Sequence, residues 1–110
     1  MKGLYLGELE ELILLAVCCL GTEAYGVAIA DVLAAQTGRD VHISAVHTVL
    51  YRLEEKGFLR SELGGATALR GGRRKRLFDI TTAGKKALRE TRDIRNAFWN
   101  RIPALVWEIA

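Results

Sequence analysis

The chain contains little proline, cysteine or histidine, and each scarcity excludes a class of protein. One proline and no polar tract among 110 residues argue against intrinsic disorder. The two cysteines, Cys18 and Cys19, are adjacent in an apolar helical run, where neighbours point about 100° apart. We therefore expect free, buried thiols in a reducing compartment and not a disulfide. His42 and His47 are the only histidines and lack an acidic or thiol cluster, so we expect no metal and no cofactor.

Membrane segments and catalytic groupings are also missing. The apolar run Leu12–Leu20 is too short to span a bilayer, and the three glutamates before it have the wrong charge for a signal peptide. The serines, cysteines, histidines and acidic residues do not have the spacing of a catalytic site, and there is no phosphate-binding loop. We expect a cytoplasmic protein without a membrane partner, and not an enzyme.

Hydrophobic residues are abundant, and charge is unevenly distributed. Half of the residues are hydrophobic, which is high for one small domain and indicates contact with another subunit. Residues 1–38 have one basic residue against five acidic ones, a net charge of −4. Residues 39–80 have nine against five (+4), and residues 81–110 have six against three (+3). A basic C-terminal two-thirds is compatible with nucleic acid, and equally with ordinary solvated charge.

Residues 44–57 predict a helix with two different faces. Ser44 is the expected N-cap and Gly57 the expected stop. One face is an apolar stripe at helical spacing: Val46, Val49, Leu50 and Leu53. The opposite face is mostly polar: Ala45, His47, Thr48, Tyr51, Arg52 and Glu55. This helix suits the DNA major groove, although the same pattern also fits an amphipathic surface helix.

The flanking patterns predict a winged helix, a mostly α member of the α+β class. Helical stripes cover residues 9–20 and Ala24–Gln36, and the connection Arg39–Ile43 is expected to be extended or a short strand. This arrangement is a helix-turn-helix. Period-two patterns in Phe58–Leu63 and Arg76–Ile80, with glycines between them, then predict a hairpin.

The hairpin carries a concentration of positive charge. Between residues 60 and 76 there are six basic side chains against Glu62 alone, a net charge of +5: Arg60, Arg70, Arg73, Arg74, Lys75 and Arg76. Such a loop can enter a minor groove or follow the phosphates. We expect residues 1–80 to form the DNA-binding domain, with its wing at about residues 58–80.

The last segment, residues 81–110, is predicted to be a dimerisation helix. Thr81 is its expected N-cap, and Pro103 should produce a kink or a new short helix. The first helix is apolar on all faces, and the chain offers nothing else to cover the last one. The expected dimer interface comprises Leu12, Leu15, Cys19, Ile94, Phe98, Trp99 and Ile102.

Four stretches resemble the PadR family of bacterial transcriptional regulators, in particular its short members with a single C-terminal helix. The stretches are LGELEELILL (Leu6–Leu15), AYGVAIADVL (Ala24–Leu33), LYRLEEKGFLRSE (Leu50–Glu62) and GGRRKRLFDITTAGKKAL (Gly71–Leu88). The resemblance implies a winged helix, a homodimer held by the terminal helices, and usually repression of a promoter.

The resemblance also implies roles for individual residues. It places Ser44, His47, Thr48 and Arg52 at the DNA, and Arg73, Arg74 and Lys75 on the wing. The family often has Tyr followed by Pro where this chain has His47 and Thr48, so the operator sequence does not follow from the resemblance. For His47 we expect a DNA-facing or capping role.

Two questions stay open at this point. Some relatives bind flat, apolar compounds between aromatic side chains at the dimer interface, so Phe98 and Trp99 could line a pocket for a small apolar or aromatic effector. Ordinary interface packing is the simpler interpretation, because aromatic residues are common at interfaces. A winged helix that has lost DNA binding and acts as a protein-interaction module is the alternative to the regulator.

Overall fold

Four α-helices and one β-hairpin make up the part of the chain that the computed structural model describes, residues 6–64 and 75–108. In chain order the elements are α1 Glu8–Leu20, α2 Gly26–Thr37, α3 Ile43–Glu55, β1 Leu59–Leu63, β2 Arg76–Ile80 and α4 Thr82–Arg101. Short 3₁₀ helices, Gly21–Glu23 and Ala104–Trp107, follow α1 and α4. The predicted fold class, a mostly helical winged helix, is confirmed.

The core lies between α1, α2 and α3 and is closed by the base of the hairpin. Its largest fully buried side chains are aliphatic: Ile13, Leu14, Val17, Ile29, Val46, Leu50, Leu53 and Leu59. The predicted stripe of α3 is therefore entirely in the core, because its four apolar residues share one face of the helix. The opposite face of α3 is left outside.

The predicted helix ends agree with the structure at several points. Gly38 has the left-handed conformation (φ 71°) after α2, and Gly57 has a φ of 82° after α3, where a side chain would be strained. Thr81 caps α4, with its Oγ1 accepting from the Gly84 N–H at 3.0 Å. Pro103 follows α4 and begins the new short helix that its ring was expected to produce.

The start of α3 differs from the prediction. The helix begins at Ile43, and its N-cap is His42, whose Nδ1 accepts from the Ser44 N–H at 3.3 Å. The prediction of Ser44 as the cap was wrong, because an imidazole nitrogen two residues earlier supplies the acceptor. Residues 39–42 form no strand, and Val41 is only half-buried beside the core.

The hairpin is antiparallel and is fixed to the helices at its base. Leu59 pairs with Ile80, and Ser61 pairs with Phe78. The Phe78 N–H donates to the carbonyl of Ala24, just before α2, at 2.8 Å. This hydrogen bond connects β2 to the start of the helix-turn-helix, so the hairpin leaves the domain in a defined direction.

The outer face of α1 is exposed in the single chain. Leu14 lies in the core, whereas Leu15 is 44% exposed and both Cys18 and Cys19 are exposed free thiols. The prediction of buried thiols was wrong for the isolated chain, because Cys18 and Cys19 lie on the part of α1 that the core does not cover.

Candidate nucleic-acid interface

The face of α3 that points away from the core presents a row of polar side chains. Ser44, Thr48, Tyr51, Arg52 and Glu55 are all exposed. The helix itself cannot shift easily, since its other face fills the core. The last four match the predicted polar face, whereas Ala45 and His47, which were also predicted to lie on it, are half-buried.

The first turn of this face is ordered by local hydrogen bonds. The Ser44 hydroxyl lies 2.9 Å from His42 Nδ1, and the Thr48 hydroxyl donates to the Ser44 carbonyl at 2.9 Å. His42, and not His47, therefore fills the capping role.

His47 is turned towards α2 and is half-buried. A Cβ placed on Gly26 would come within 2.7 Å of His47 Cε1, so the ring occupies the space that this glycine leaves open. Within the described residues, Nδ1 of His47 has no hydrogen-bond partner. The ring stacks at 6.1 Å on Tyr51. The His47 side chain thus packs between α3 and α2, and its ring lies against the ring of Tyr51.

The second half of the face is reached by longer side chains. The Tyr51 ring, 49% exposed, also contacts Phe78 of β2 edge-on at 6.4 Å. Arg52 is exposed and makes no ion pair with any residue of the described ranges 6–64 and 75–108. Its five N–H donors remain available for a partner.

A series of side-chain hydrogen bonds connects the hairpin to α3. The Ser61 hydroxyl donates to Glu54 Oε2 at 2.7 Å, and Arg76 Nη1 donates to the same hydroxyl oxygen at 3.0 Å. Sequence reasoning did not find this network, because the three residues become neighbours only when β1 and β2 pair over the end of α3.

Of the three cations that the family resemblance places on the wing, Arg73, Arg74 and Lys75, only Lys75 falls within the described residues. Its ammonium nitrogen lies 3.9 Å above the centre of the Tyr25 ring. Arg73 and Arg74 lie outside the described residues. Tyr25 was predicted only as part of the apolar stripe of the second helix and not as a functional residue, although it lies in one of the stretches that resemble the PadR family.

A second surface lies between α1 and α4. Arg95 Nη2 is 2.9 Å from Glu11 Oε1, which holds the two helices together. A groove of about 440 Å³ runs beside this ion pair and is lined mainly by basic and apolar side chains, with two polar ones: Glu11, Leu15, Lys85, Leu88, Arg89, Arg92, Arg95, Asn96 and Trp99. Phe98 is not among its lining residues, although it was predicted together with Trp99.

The predicted interface residues of α4 are largely exposed in the single chain. Ile94, Phe98 and Trp99 are exposed apolar side chains, whereas Ile102 is half-buried. On α1, Leu12 is half-buried against the core and Cys19 is exposed. The Trp99 ring stacks on Trp107, with centroids 5.6 Å apart and planes at 8°.

Comparison with known families decides what this arrangement is. The family model described as the PadR-like family of transcriptional regulators matches residues 14–90. The chain belongs to this family. PadR-like proteins are transcriptional regulators that bind DNA, so the predictions of a DNA-binding regulator and of a protein without enzymatic activity are confirmed.

Solved PadR structures share the fold. The PadR family regulator from Eggerthella lenta DSM 2243 is 25% identical, with a TM-score of 0.67 over 93% of this chain and 88% of that one. A regulator from Clostridium difficile R20291 is 22% identical, with a TM-score of 0.70 over 86% and 93%. A PadR-like regulator from Bacillus cereus is 18% identical, with a TM-score of 0.74 over 92% and 93%. No curated protein matches the chain.

The described part of this PadR-like chain gives little support for a catalytic thiol, a metal site or a membrane-spanning helix. Partial burial of the otherwise exposed Cys18 thiol, and next the neighbouring Cys19, raise its pKa, which disfavours the nucleophilic thiolate. Among residues 6–64 and 75–108, no three histidine, cysteine or acidic side chains come close enough together to hold a metal ion. The same ranges contain no helix that is long and apolar enough to cross a membrane.

Proposed function

We propose that this PadR-like chain is a homodimeric, sequence-specific repressor that inserts α3 into the DNA major groove. The observation that carries the proposal is the exposed polar face of α3 on a helix whose other side is fixed in the core. A helix of this kind can reach base edges without distortion of its own domain. Ser44, Thr48, Tyr51 and Arg52 are the proposed contacts, and His47 supports them through Tyr51.

The wing is proposed to add contacts beside this helix. Lys75 is held at the loop end of the hairpin, opposite Gly64, and Arg73 and Arg74 precede it in the sequence. Such cations reach phosphates or the minor groove, which adds affinity and little sequence information. The DNA-binding domain is then residues 1–80, with the wing at about residues 58–80, and residues 81–110 form the dimerisation element.

The proposed dimer uses the outer faces of α1 and α4. Leu15, Ile94, Phe98 and Trp99 are between 44% and 70% exposed, which is unusual for large apolar side chains on adjacent helices. A second copy would cover them, together with Leu12, Cys19 and Ile102 at the edges. A two-fold dimer would present two α3 helices to successive major grooves about 34 Å apart.

A small apolar or aromatic effector is proposed at the α4 surface. The groove beside Trp99 has the volume of a small-molecule site, and Phe98 is the neighbour of Trp99 in the sequence of α4, although it does not line the groove. Trp107 already covers one face of Trp99. Quenching of tryptophan fluorescence by planar aromatic compounds would support the pocket, whereas no change would leave Trp99 as a packing residue.

The alternative of a protein-interaction module has less support than the regulator. Its motivation is the exposed apolar surface of α4, which a second copy of the chain also explains. PadR-like membership favours action on DNA.

A regulator that binds genomic DNA would function in the cytoplasm, and this is the location we propose.

Replacement of Arg52 by alanine tests the assignment of α3. Because Arg52 is exposed and unpaired among the described residues, its loss should weaken binding to the preferred duplex by about tenfold and relax the preference over random duplex. Arg101→Ala is the matched control, since it removes the same charge from the far end of α4. If the two substitutions lowered the affinity for the specific duplex equally, a role of α3 in base recognition would be contradicted.

A further inference from the structure

The Tyr25 ring lies beneath the ammonium group of Lys75, where the hairpin approaches α2. Lys75 Nζ is 3.9 Å from the ring centroid, well inside the distance of about 6 Å at which the negative face of an aromatic ring attracts a cation. Both residues are half-buried. A lysine side chain loses considerable rotamer freedom when it is held in one place. The ring contact is an attraction that can offset this loss.

The backbones of both residues are anchored to the same structure. The carbonyl of Lys75 accepts from the Gly64 N–H at 2.6 Å across the hairpin. Tyr25 is the N-cap of α2, and its neighbour Ala24 accepts from the Phe78 N–H of β2 at 2.8 Å. The ring and the ammonium group therefore meet because β2 is attached to the residues that begin α2.

The contact leaves the charge of Lys75 uncompensated. Lys56, Arg60 and Arg95 each pair with a carboxylate at 2.7 to 3.0 Å. Lys75 makes no such pair with any described residue. A carboxylate would neutralise the ammonium group, whereas an aromatic ring orders it and keeps its full charge. A positioned, unneutralised cation is what a phosphate contact requires.

We propose that Tyr25 is a positioning residue for DNA binding. Its ring holds the Lys75 ammonium group on the side of the wing that faces α2. The ammonium group is therefore already positioned when a DNA phosphate approaches it. The inference rests on the proposed function and adds a residue to it. Tyr25 acts through Lys75, and its own hydroxyl is not required.

A double-mutant cycle on the full chain tests this role. Tyr25→Phe keeps the ring and should bind the preferred duplex within twofold of the unmodified chain. Tyr25→Leu removes the ring from both protomers and should weaken binding of the dimer about five- to thirtyfold, because each exposed cation–π contact accounts for roughly a two- to fivefold effect. Lys75→Met removes one phosphate contact from each protomer of the dimer, so it should weaken binding and lower the salt slope by about two. Adding Tyr25→Leu to Lys75→Met should then have no further effect.

Several outcomes would overturn the positioning role. An equal loss from Tyr25→Leu with and without Lys75 would show that Tyr25 acts on the fold, or on DNA directly. Tighter binding by Tyr25→Leu would show that the ring withholds Lys75 from DNA. If Tyr25→Leu does not fold, pentafluorophenylalanine at position 25 keeps the ring shape without its negative face. It should weaken binding as the leucine would, and affinity equal to that of Tyr25→Phe would overturn the proposal.

The unmodified chain separates this proposal from the function on which it rests. Absence of specific duplex binding by that chain overturns the proposed function and the positioning role together. Specific binding with no coupling between Tyr25 and Lys75 overturns the positioning role alone.

Discussion

The carboxylate of Glu10 joins the first helix to the end of α3. One oxygen accepts from the Gly7 N–H at 2.8 Å, and the other lies 2.7 Å from Lys56 Nζ, just after α3. Burial would raise the pKa of Glu10, but Lys56 and the Gly7 N–H outweigh it, so this pKa lies below its ordinary value of 4.5. A buried charge stays ionised when its hydrogen bonds and its ion partner are both in place.

The lowered pKa of Glu10 predicts a pH-dependent contribution to stability. A carboxyl group whose pKa is depressed on folding stabilises the native state above its unfolded pKa, and this contribution is lost as the pH falls through the folded pKa. The free energy of unfolding of Glu10→Gln should be about 1–2 kcal/mol lower than that of the unmodified chain at pH 7. The difference should shrink below pH 4.5. Urea denaturation from pH 7 to pH 3 measures it, with exposed Glu55→Gln as the control.

A constant difference between the two chains over that pH range would contradict the account. It would mean that glutamine disturbs the packing around position 10 and that the charge of Glu10 is not responsible. Glu55 is exposed in the last turn of α3, so its substitution should change the stability by less than about 0.5 kcal/mol at any pH.

At the scale of elements, the features that depend on neighbouring residues are predicted from the sequence better than those that depend on residues distant in the chain. The bounds Arg76–Ile80 of β2 and the Thr81 cap are visible in the sequence, because each depends on a few neighbouring residues. The cap of α3 was misassigned, because a histidine and a serine two positions apart can both supply an acceptor. The choice depends on where the preceding turn places His42.

The candidate site is predictable only in part, because some of its contacts depend on residues that are distant in the sequence. The exposure of Tyr51 and Arg52 follows from the period of α3. The inward position of His47 does not, because it depends on the open space at Gly26 of a different helix. The contact of Lys75 with Tyr25 likewise needs the pairing of β2 with the start of α2.

The apolar face of α4 predicts self-association. Phe98 is 70% exposed in the single chain, and a two-fold interface would bury two copies of it. Phe98→Ser should therefore shift the monomer–dimer midpoint to roughly thirtyfold higher protein concentration or more. Sedimentation analysis over a range of concentrations measures the midpoint. Asn100→Ser, on the same exposed stretch of α4, should leave it unchanged, and an unchanged midpoint for Phe98→Ser would place the interface elsewhere.

The whole molecule combines an acidic first third with a basic remainder. The N-terminal 38 residues carry a net charge of −4, and the other 72 carry +7. In the proposed dimer, two α3 helices and two wings would face one side of a duplex, and each phosphate contact would release counterions. The affinity should therefore combine a steep dependence on salt with a preference for one sequence.

Duplex binding as a function of salt concentration tests the central claim most directly. Genomic fragments, including the region upstream of the chain's own gene, would be compared with random duplex of equal length. One fragment should remain bound at moderate salt after the others are released, with a log–log slope of about −4 to −8 for a dimer that contacts several phosphates. Equal and weak binding to every fragment, with or without planar aromatic compounds, would contradict the account of a sequence-specific regulator.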